Sequence, residues 1–595
     1  MKQGWLAGRE RWGGVVLITL ISALTYLPLI GRVGYMNDDW YLMYSAGAYG
    51  PGAFVDIFSV DRPARALVMI PAYILFGGNP LYYNLSAYMF RLISALAFMW
   101  ILRMLWPRRN RAAILASLIY MIYPGFLSQL NGIDYQSQMV SLAAAMLSVA
   151  LSVRVLFANR VWQKIVLIAV SILFGWLYLG LVEYFLGFEF FRILCIFLVS
   201  YRENVSWMNR LLAGIKRWLP NVFMPLTFLA WRVFFFQGER SATDVNIQFA
   251  QVKLYPLPTL YHWTIQVMQD LFDVTISAWV TPLSQLTGYI QRWGGLLAVV
   301  VVGILLYGLY FYADHNEQDK LSDDFSREAL LLGLFVAIGG LIPIAMVNRE
   351  VAFPAYSRYS LVSSAGVAIL ISALLLMLKW RYMRNGMFAL IVLVSVLTHH
   401  ANTVKAVQET TSTKNFWWQV SWRVPQLEKN TTLIANYPNV SLEEDYFIWG
   451  PANLIYYPDK QYENYIQPGV YAAILSRNTV EKVLARERQE YDKRKTIITY
   501  ANYRNILVIT QPSLNSCVHV LDGAHPEFSN GERDLIQEIG PYSEVELVLA
   551  DETPHTPPTV VFGPEPDHGW CYFYQIADLA RQRGEWEKVL EISGQ

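Results

Sequence analysis

The chain has 595 residues, 54% hydrophobic, 15% aromatic and only 16% charged, and its 47 basic and 46 acidic side chains leave a net charge of +1. A soluble domain carries roughly 25% charge, so this composition points to a membrane protein and excludes a disordered chain and a generally basic nucleic-acid binder. Three cysteines (Cys195, Cys517 and Cys571) are too few for a disulfide scaffold. The polarity is uneven along the chain: residues 12–400 are apolar blocks between short polar loops, whereas 404–595 carry many charges. This predicts an α-helical polytopic membrane domain over 1–403, then a small α/β domain over 404–595.

A spanning helix needs about 20 apolar residues. The first falls at 14–31, behind Lys2, Arg9 and Arg11. The next apolar block, 65–105, is broken at Phe76-Gly77-Gly78-Asn79-Pro80, a turn signal. Its first part is too short to span and reads as an interfacial helix; 82–105 reads as the second span. Further spans are predicted at 112–128, 138–157, 164–182, 184–201, 218–236, 289–313, 329–347, 359–379 and 386–403, eleven in all. With a cytoplasmic N-terminus the inner loops hold 19 Lys and Arg, against 7 in the outer loops, or 8 with Arg292. That bias obeys the positive-inside rule and places 404–595 outside the cell (inner) membrane. The outer loops 32–81 and 237–288 are long, and Leu260–Phe272 has the aromatic, amphipathic character of an interfacial helix.

The first outer loop carries Met36-Asn37-Asp38-Asp39-Trp40 and then Asp61-Arg62-Pro63. Adjacent carboxylates at that position can share a proton, activate a hydroxyl or bind a metal; the bland alternative is a solvated Asx-type turn. Arginines beside a membrane surface suit phosphate, which singles out Arg62 and Arg358 (followed by Tyr359), with Arg65 and Arg349 behind them. Arg358 and Tyr359 serve equally well as interfacial anchors. Asp134 and Gln136, in the second outer loop, can hold acceptor hydroxyls, help bind a metal or simply cap a helix. Glu183, near the outer end of the fifth span, is a site candidate because carboxylates at that depth are costly. Glu189 and Arg192 lie three apart and can pair. Asp314, Asp319, Asp323 and Asp324 read as a solvated cytoplasmic loop, and His262 and His315 as lone structural histidines. Walker A, dinucleotide-binding and His-Glu-x-x-His motifs are absent from the sequence.

One short inner segment, one span and an outer loop opening on paired acids, then Arg-Pro, then an apolar helix ending Leu75-Phe76-Gly77: this order resembles the GT-C superfamily of membrane glycosyltransferases, such as protein O-mannosyltransferases and aminoarabinose transferases. The resemblance covers about residues 1–400 and lies in the order of short motifs. It implies transfer of a sugar from a polyprenyl-phosphate donor to a glycan, lipid or protein acceptor on the outer face, with inversion. It implies that the first acid, Asp38, is the base. The family often has Asp-Glu where this chain has Asp-Asp, so the choice between Asp38 and Asp39 stays open. Arg358 and Arg62 would hold the phosphate; Trp40, with Tyr35 and Tyr41, would stack on the acceptor. The reaction requires no cofactor by itself and admits a divalent cation (Mg or Mn), whose ligands are unassigned. The lipid bilayer and the lipid donor are the expected partners, and no nucleic acid. Competing readings are a lipid-linked glycan flippase or polymerase, a secondary transporter, and a non-catalytic scaffold of envelope assembly.

In the outer domain, 414–427 reads as an amphipathic connecting helix with tryptophans on the membrane. Strands are expected at 432–436, 495–500, 506–510 and 518–521, and a charged helix at 479–490. Cys517 and Cys571 can form a disulfide in an oxidising compartment. The tail 570–593 resembles a tetratricopeptide-type helix pair. No catalytic constellation is evident in this domain.

Overall fold

The computed structural model describes residues 2–203, 206–236, 238, 245–313 and 323–594. Parts of the long loop predicted at 237–288 (residues 239–244) and of the acidic loop with Asp314, His315 and Asp319 lie outside the described residues. The chain forms two compact units. One comprises 1–31, 60–68 and 84–405; the other comprises 32–59, 69–83 and 406–595.

The first unit is helical. Among the described residues eight helices are long and apolar enough to cross a membrane: Trp12–Arg32, Pro80–Leu105, Gln136–Val155, Val161–Leu181, Glu183–Glu203, Arg292–Leu309, Phe325–Ala345 and Arg381–Arg423. Three of the eleven predicted spans differ. The segment predicted at 112–128 is the 12-residue helix Asn110–Met121, followed by irregular chain through Tyr123-Pro124-Gly125. The 359–379 segment has a helix only over Ser363–Leu376, after the 3₁₀ turn Ser357–Ser360. The 218–236 segment is part of a longer helix, Trp207–Phe234, whose four basic side chains and two prolines lower its apolar character. The break at Phe76–Pro80 appears as expected: Ala66–Phe76 is one helix, Gly77 takes φ +56°, and Pro80 opens the next helix.

Small residues let these helices approach. A Cβ on Gly366 would lie 2.3 Å from the Ala337 backbone N, and one on Gly333 2.6 Å from that of Leu370. Helices Asp323–Ala345 and Ser363–Leu376 pack together there, as small-residue faces do in lipid. Several buried charges of this unit are held by partners within it. Arg192 pairs with Glu189 at 3.0 Å, as the sequence spacing suggested, and its guanidinium also reaches the Ser148 carbonyl and Ser171. Arg91 donates to the Met121 carbonyl (2.9 Å) and to Gln129, and lies over the Phe126 ring.

The second unit is α/β. Its four-stranded sheet has the order Tyr471–Ala472, Thr432–Asn436, Ile506–Thr510, His519–Val520, with the central pair parallel and in register from Thr432↔Ile506 to Asn436↔Thr510. The Ile506–Thr510 strand is buried throughout, as a central parallel strand must be. The expected strands at 432–436 and 506–510 are met residue for residue, and that at 518–521 narrows to His519–Val520. The expected helix 479–490 is instead Arg477–Leu484, capped by Ser476 Oγ accepting from Thr479 N. The chain beyond it turns into the antiparallel hairpin Glu490–Arg494/Ile497–Ala501, with Lys495 in the turn at φ +56°.

The connecting segment is not a separate membrane-surface helix. It continues the last span as one 43-residue helix, Arg381–Arg423, about 65 Å long at 1.5 Å per residue. Trp417 and Trp418 are buried, Trp418 donating to the Phe562 carbonyl, so they serve packing and not the bilayer. The tail forms the expected helix pair, Trp570–Gln582 and Trp586–Ser593, turning at Gly584 with φ +72°.

Cys517 and Cys571 form a disulfide, and Cys195 is buried and free. The bridge spans 54 residues, which corresponds to about 4 kcal/mol of chain-entropy stabilisation. Thiol labelling of the denatured chain is therefore expected to find one free cysteine without reductant and three with it. Cys517→Ser should lower the unfolding free energy of the second unit by about 2–5 kcal/mol in chemical denaturation.

Candidate functional site

Asn37 enters the left-handed region at φ +47°, a conformation asparagine tolerates better than most residues. This turn launches the helix Asp39–Tyr49 and sends the two neighbouring carboxylates in different directions. Asp39 is 1% exposed, and its Oδ2 accepts from the Met36 amide at 3.0 Å. It ties the turn together. Asp38 remains partly accessible, with 26% of its side chain exposed. Its Oδ1 accepts from Tyr446 Oη at 2.7 Å and from Arg494 Nη2 at 3.2 Å; its Oδ2 accepts from Tyr41 Oη at 3.1 Å. Burial pushes the Asp38 carboxyl up, but the Arg494 guanidinium, Lys495 and the tyrosine hydroxyls outweigh it and hold the group below the usual carboxylate range. Asp38 is thus ionised and the more exposed of the two acids.

The surrounding aromatics are packing residues. Tyr35, Trp40 and Tyr41 are 7%, 7% and 0% exposed. Trp40 meets the Tyr35 ring edge-on at 5.2 Å and lies tilted 6.2 Å from Phe562, and its Cβ lies 2.8 Å from where a Cβ on Gly450 would stand. Tyr41 meets the Tyr446 ring edge-on at 5.1 Å. Trp40 and Tyr41, expected as stacking residues for an acceptor, pack here against the helix Tyr446–Tyr456, and Tyr35 donates to the Gly78 carbonyl at 2.5 Å. Arg494 and Tyr446 were invisible to sequence reasoning. They lie 456 and 408 residues from Asp38, in a charged stretch with no motif.

In the helical unit, the predicted anion ligands divide into paired and unpaired groups. Arg62 forms a two-pronged ion pair with Glu183 (Nε–Oε2 2.7 Å, Nη2–Oε1 2.6 Å), so these two predicted site residues satisfy each other. Arg65 Nη2 holds Asp134 through Oδ1 at 2.8 Å and the main-chain oxygen at 2.7 Å. Gln136 donates to Ser86 Oγ at 2.7 Å, while its buried Oε1 has no hydrogen-bond partner. Arg358 differs from Arg62 and Arg65. Among the described residues it forms no ion pair; Nη1 donates to Tyr135 Oη at 3.3 Å, and its guanidinium lies over the rings of Tyr359 (4.9 Å) and Tyr356 (5.3 Å). Tyr359 is buried and packs edge-on to Tyr184 at 5.3 Å. A guanidinium faced by rings and one hydroxyl keeps its full charge for an anion.

Among the described residues no three His, Cys, Asp or Glu side chains gather to hold a metal. Asp38 already accepts three hydrogen bonds, one of them from a cation, and Asp39 turns to the backbone. This donor set does not fit the oxygen cage of Mg or Mn.

An open cavity of about 600 Å³ lies elsewhere in the helical unit, lined by Gln266, Asp270, Asp273 and Glu350 among others. Asp270 is fully buried; Oδ1 accepts from Gln266 and from the Val351 amide. Burial, with Asp273 and Glu350 nearby, pushes its pKa up to about 6.

No protein-family model matches the chain, and no curated protein matches it. Among solved structures it is similar to ArnT from Cupriavidus metallidurans bound to undecaprenyl phosphate (11% identity, 82% of this chain and 97% of that one, TM-score 0.38). It is also similar to the Archaeoglobus fulgidus oligosaccharyltransferase in complex with Zn and sulfate (14% identity, 98% of this chain and 83% of that one, TM-score 0.39). Likeness at this distance says nothing of substrate, and the functional reading rests on this chain's own residues.

Two outcomes test this geometry. Arg62→Gln and Glu183→Gln should each destabilise the chain, and the double variant should cost less than their sum by about 1–3 kcal/mol in a double-mutant cycle of unfolding. Asp270 has a raised folded-state pKa, so its contribution is present in acid and lost as pH rises through about 6. Asp270→Asn should therefore gain stability over the parent between pH 4 and pH 7, by on the order of 1–3 kcal/mol, read as melting midpoints across pH.

Proposed function

We propose that the chain is a membrane glycosyltransferase that moves a sugar from a polyprenyl-phosphate donor to a hydroxyl acceptor on the extracytoplasmic face. The observation that carries this reading is Asp38, an ionised carboxylate whose side chain is 26% exposed and is held by Tyr446, Arg494 and Tyr41 within its own unit; Arg358, which among the described residues forms no ion pair, is the cation assigned to the phosphate. Asp38 takes the acceptor's proton as the new C–O bond forms at the anomeric carbon. The bond to the donor's phosphate breaks with its electron pair on the phosphate, and Arg358 stabilises that charge. Arg62, Asp134 and Glu183 shape the helical unit through their ion pairs, and Gln136 offers a buried acceptor oxygen. The resemblance of the acid pair, Arg-Pro and Leu-Phe-Gly order to GT-C enzymes supports the same chemistry. The disulfide supports an oxidising, extracytoplasmic side for the second unit, and the Lys and Arg bias supports a cytoplasmic N-terminus.

Membranes containing the chain, incubated with candidate polyprenyl-phosphate sugars, are expected to transfer sugar and to do so with chelator present. Asp38→Asn should lower the rate about 10²–10⁴-fold, and Arg358→Gln about 10²-fold or more, in chains that accumulate normally. Undiminished transfer by Asp38→Asn would remove the assignment.

A further inference from the structure

We propose that Arg494 and Tyr446 are positioning residues of this reaction: they occupy Oδ1 of Asp38 and leave Oδ2 as the oxygen that receives the acceptor's proton. The inference rests on the reading of Asp38 as the base and deepens it.

A carboxylate oxygen accepts about two hydrogen bonds. Oδ1 has both, from Tyr446 Oη and Arg494 Nη2. These donors also touch each other, Arg494 Nη2 donating to Tyr446 Oη at 3.1 Å, so Oδ1 sits at the apex of a closed triangle. Among the described residues Oδ2 has a single donor, Tyr41. The vacant acceptor direction of the part-exposed carboxylate is therefore on Oδ2. During transfer the acceptor's O–H bond breaks and its proton passes to Oδ2. The acceptor oxygen bonds the anomeric carbon, and the phosphate leaves with its electron pair.

The triangle is held by separate elements. Tyr446 opens the helix Tyr446–Tyr456, and Arg494 ends the first strand of the Glu490–Ala501 hairpin. The guanidinium lies 5.1 Å from the Tyr446 ring centre and 5.8 Å from that of Tyr41. The groups facing Asp38 from these elements are Tyr41 on its own helix, Tyr446, and Arg494 and Lys495 on the hairpin. Glu444 stands 3.8 Å from Arg494 Nη1 and is the acidic group nearest to it after Asp38. With 39% of the Arg494 side chain and 26% of the Asp38 side chain exposed, the pair contributes little to folding. Its consequence is orientation and charge: it fixes which oxygen is free and keeps that oxygen deprotonated.

The test uses the full chain in membranes with a polyprenyl-phosphate hexose that supports transfer, and follows kcat and KM from pH 5 to 9 for Arg494→Gln, Arg494→Lys, Tyr446→Phe and Asp38→Asn. Arg494→Gln removes the main influence that lowers the Asp38 pKa. Its acid limb should move up by about one pH unit and kcat should fall about tenfold, with donor KM within twofold. Arg494→Lys should restore the limb while recovering only part of kcat, and Tyr446→Phe should lower kcat less than Arg494→Gln. An active Arg494→Gln with the parent's kcat and acid limb overturns the positioning role. If Arg494→Gln does not accumulate, parent-like kcat and pH profile in both Arg494→Lys and Tyr446→Phe overturn it equally. Full activity in Asp38→Asn is a different result: it removes the base itself, whatever Arg494 does.

Discussion

Removing a charge from water without a partner costs several kcal/mol, and this constraint organises the whole chain. The helical unit keeps Glu189 with Arg192, Arg62 with Glu183 and Arg65 with Asp134. The α/β unit keeps Arg423 with Asp578 and Asp38 with Arg494. The buried pairs join residues whose isolated charge would otherwise oppose packing, whereas the part-exposed Asp38–Arg494 pair sets orientation. The Glu189–Arg192 pair inside a predicted span is, in the fold, a member of a hydrogen-bonded set with Ser148 and Ser171.

The same constraint separates structure from chemistry. Arg62 and Arg65 are each committed to a carboxylate. Arg358, faced by tyrosines, keeps its charge available. A carboxylate folded back on the backbone, such as Asp39, fixes a turn, while its neighbour Asp38 retains one open acceptor direction. Two acids adjacent in sequence thereby acquire different roles, because the left-handed turn at Asn37 points them apart.

The second unit is assembled from distant pieces of chain. Residues 32–59 and 69–83 fold with 406–595, and the helix Asp39–Tyr49 packs on Tyr446–Tyr456 through Tyr41, Tyr44, Trp40 and Gly450. A loop this rich in aromatics reads as an acceptor platform when taken alone. With a partner helix over it, the aromatic surface is the core of a domain, and the polar edge of that core is where Asp38 meets Arg494.

Local physics determined what the sequence alone made legible. Apolar runs of spanning length, the glycine-proline break at Phe76–Pro80, the β-branched strands 432–436 and 506–510, the i,i+3 pair Glu189–Arg192 and the tail helix pair all follow from neighbouring residues. Tertiary structure decided the rest. It shortened two expected spans to helices of 12 and 14 residues, fused the last span with the connecting helix, and buried Trp417 and Trp418. It also turned Asp39 to the Met36 amide while leaving Asp38 part-exposed, and paired Arg62 with Glu183. Those outcomes depend on which distant groups reach a charge or a ring once the chain is packed. No sequence spacing encodes a hydrogen bond from residue 494 to residue 38.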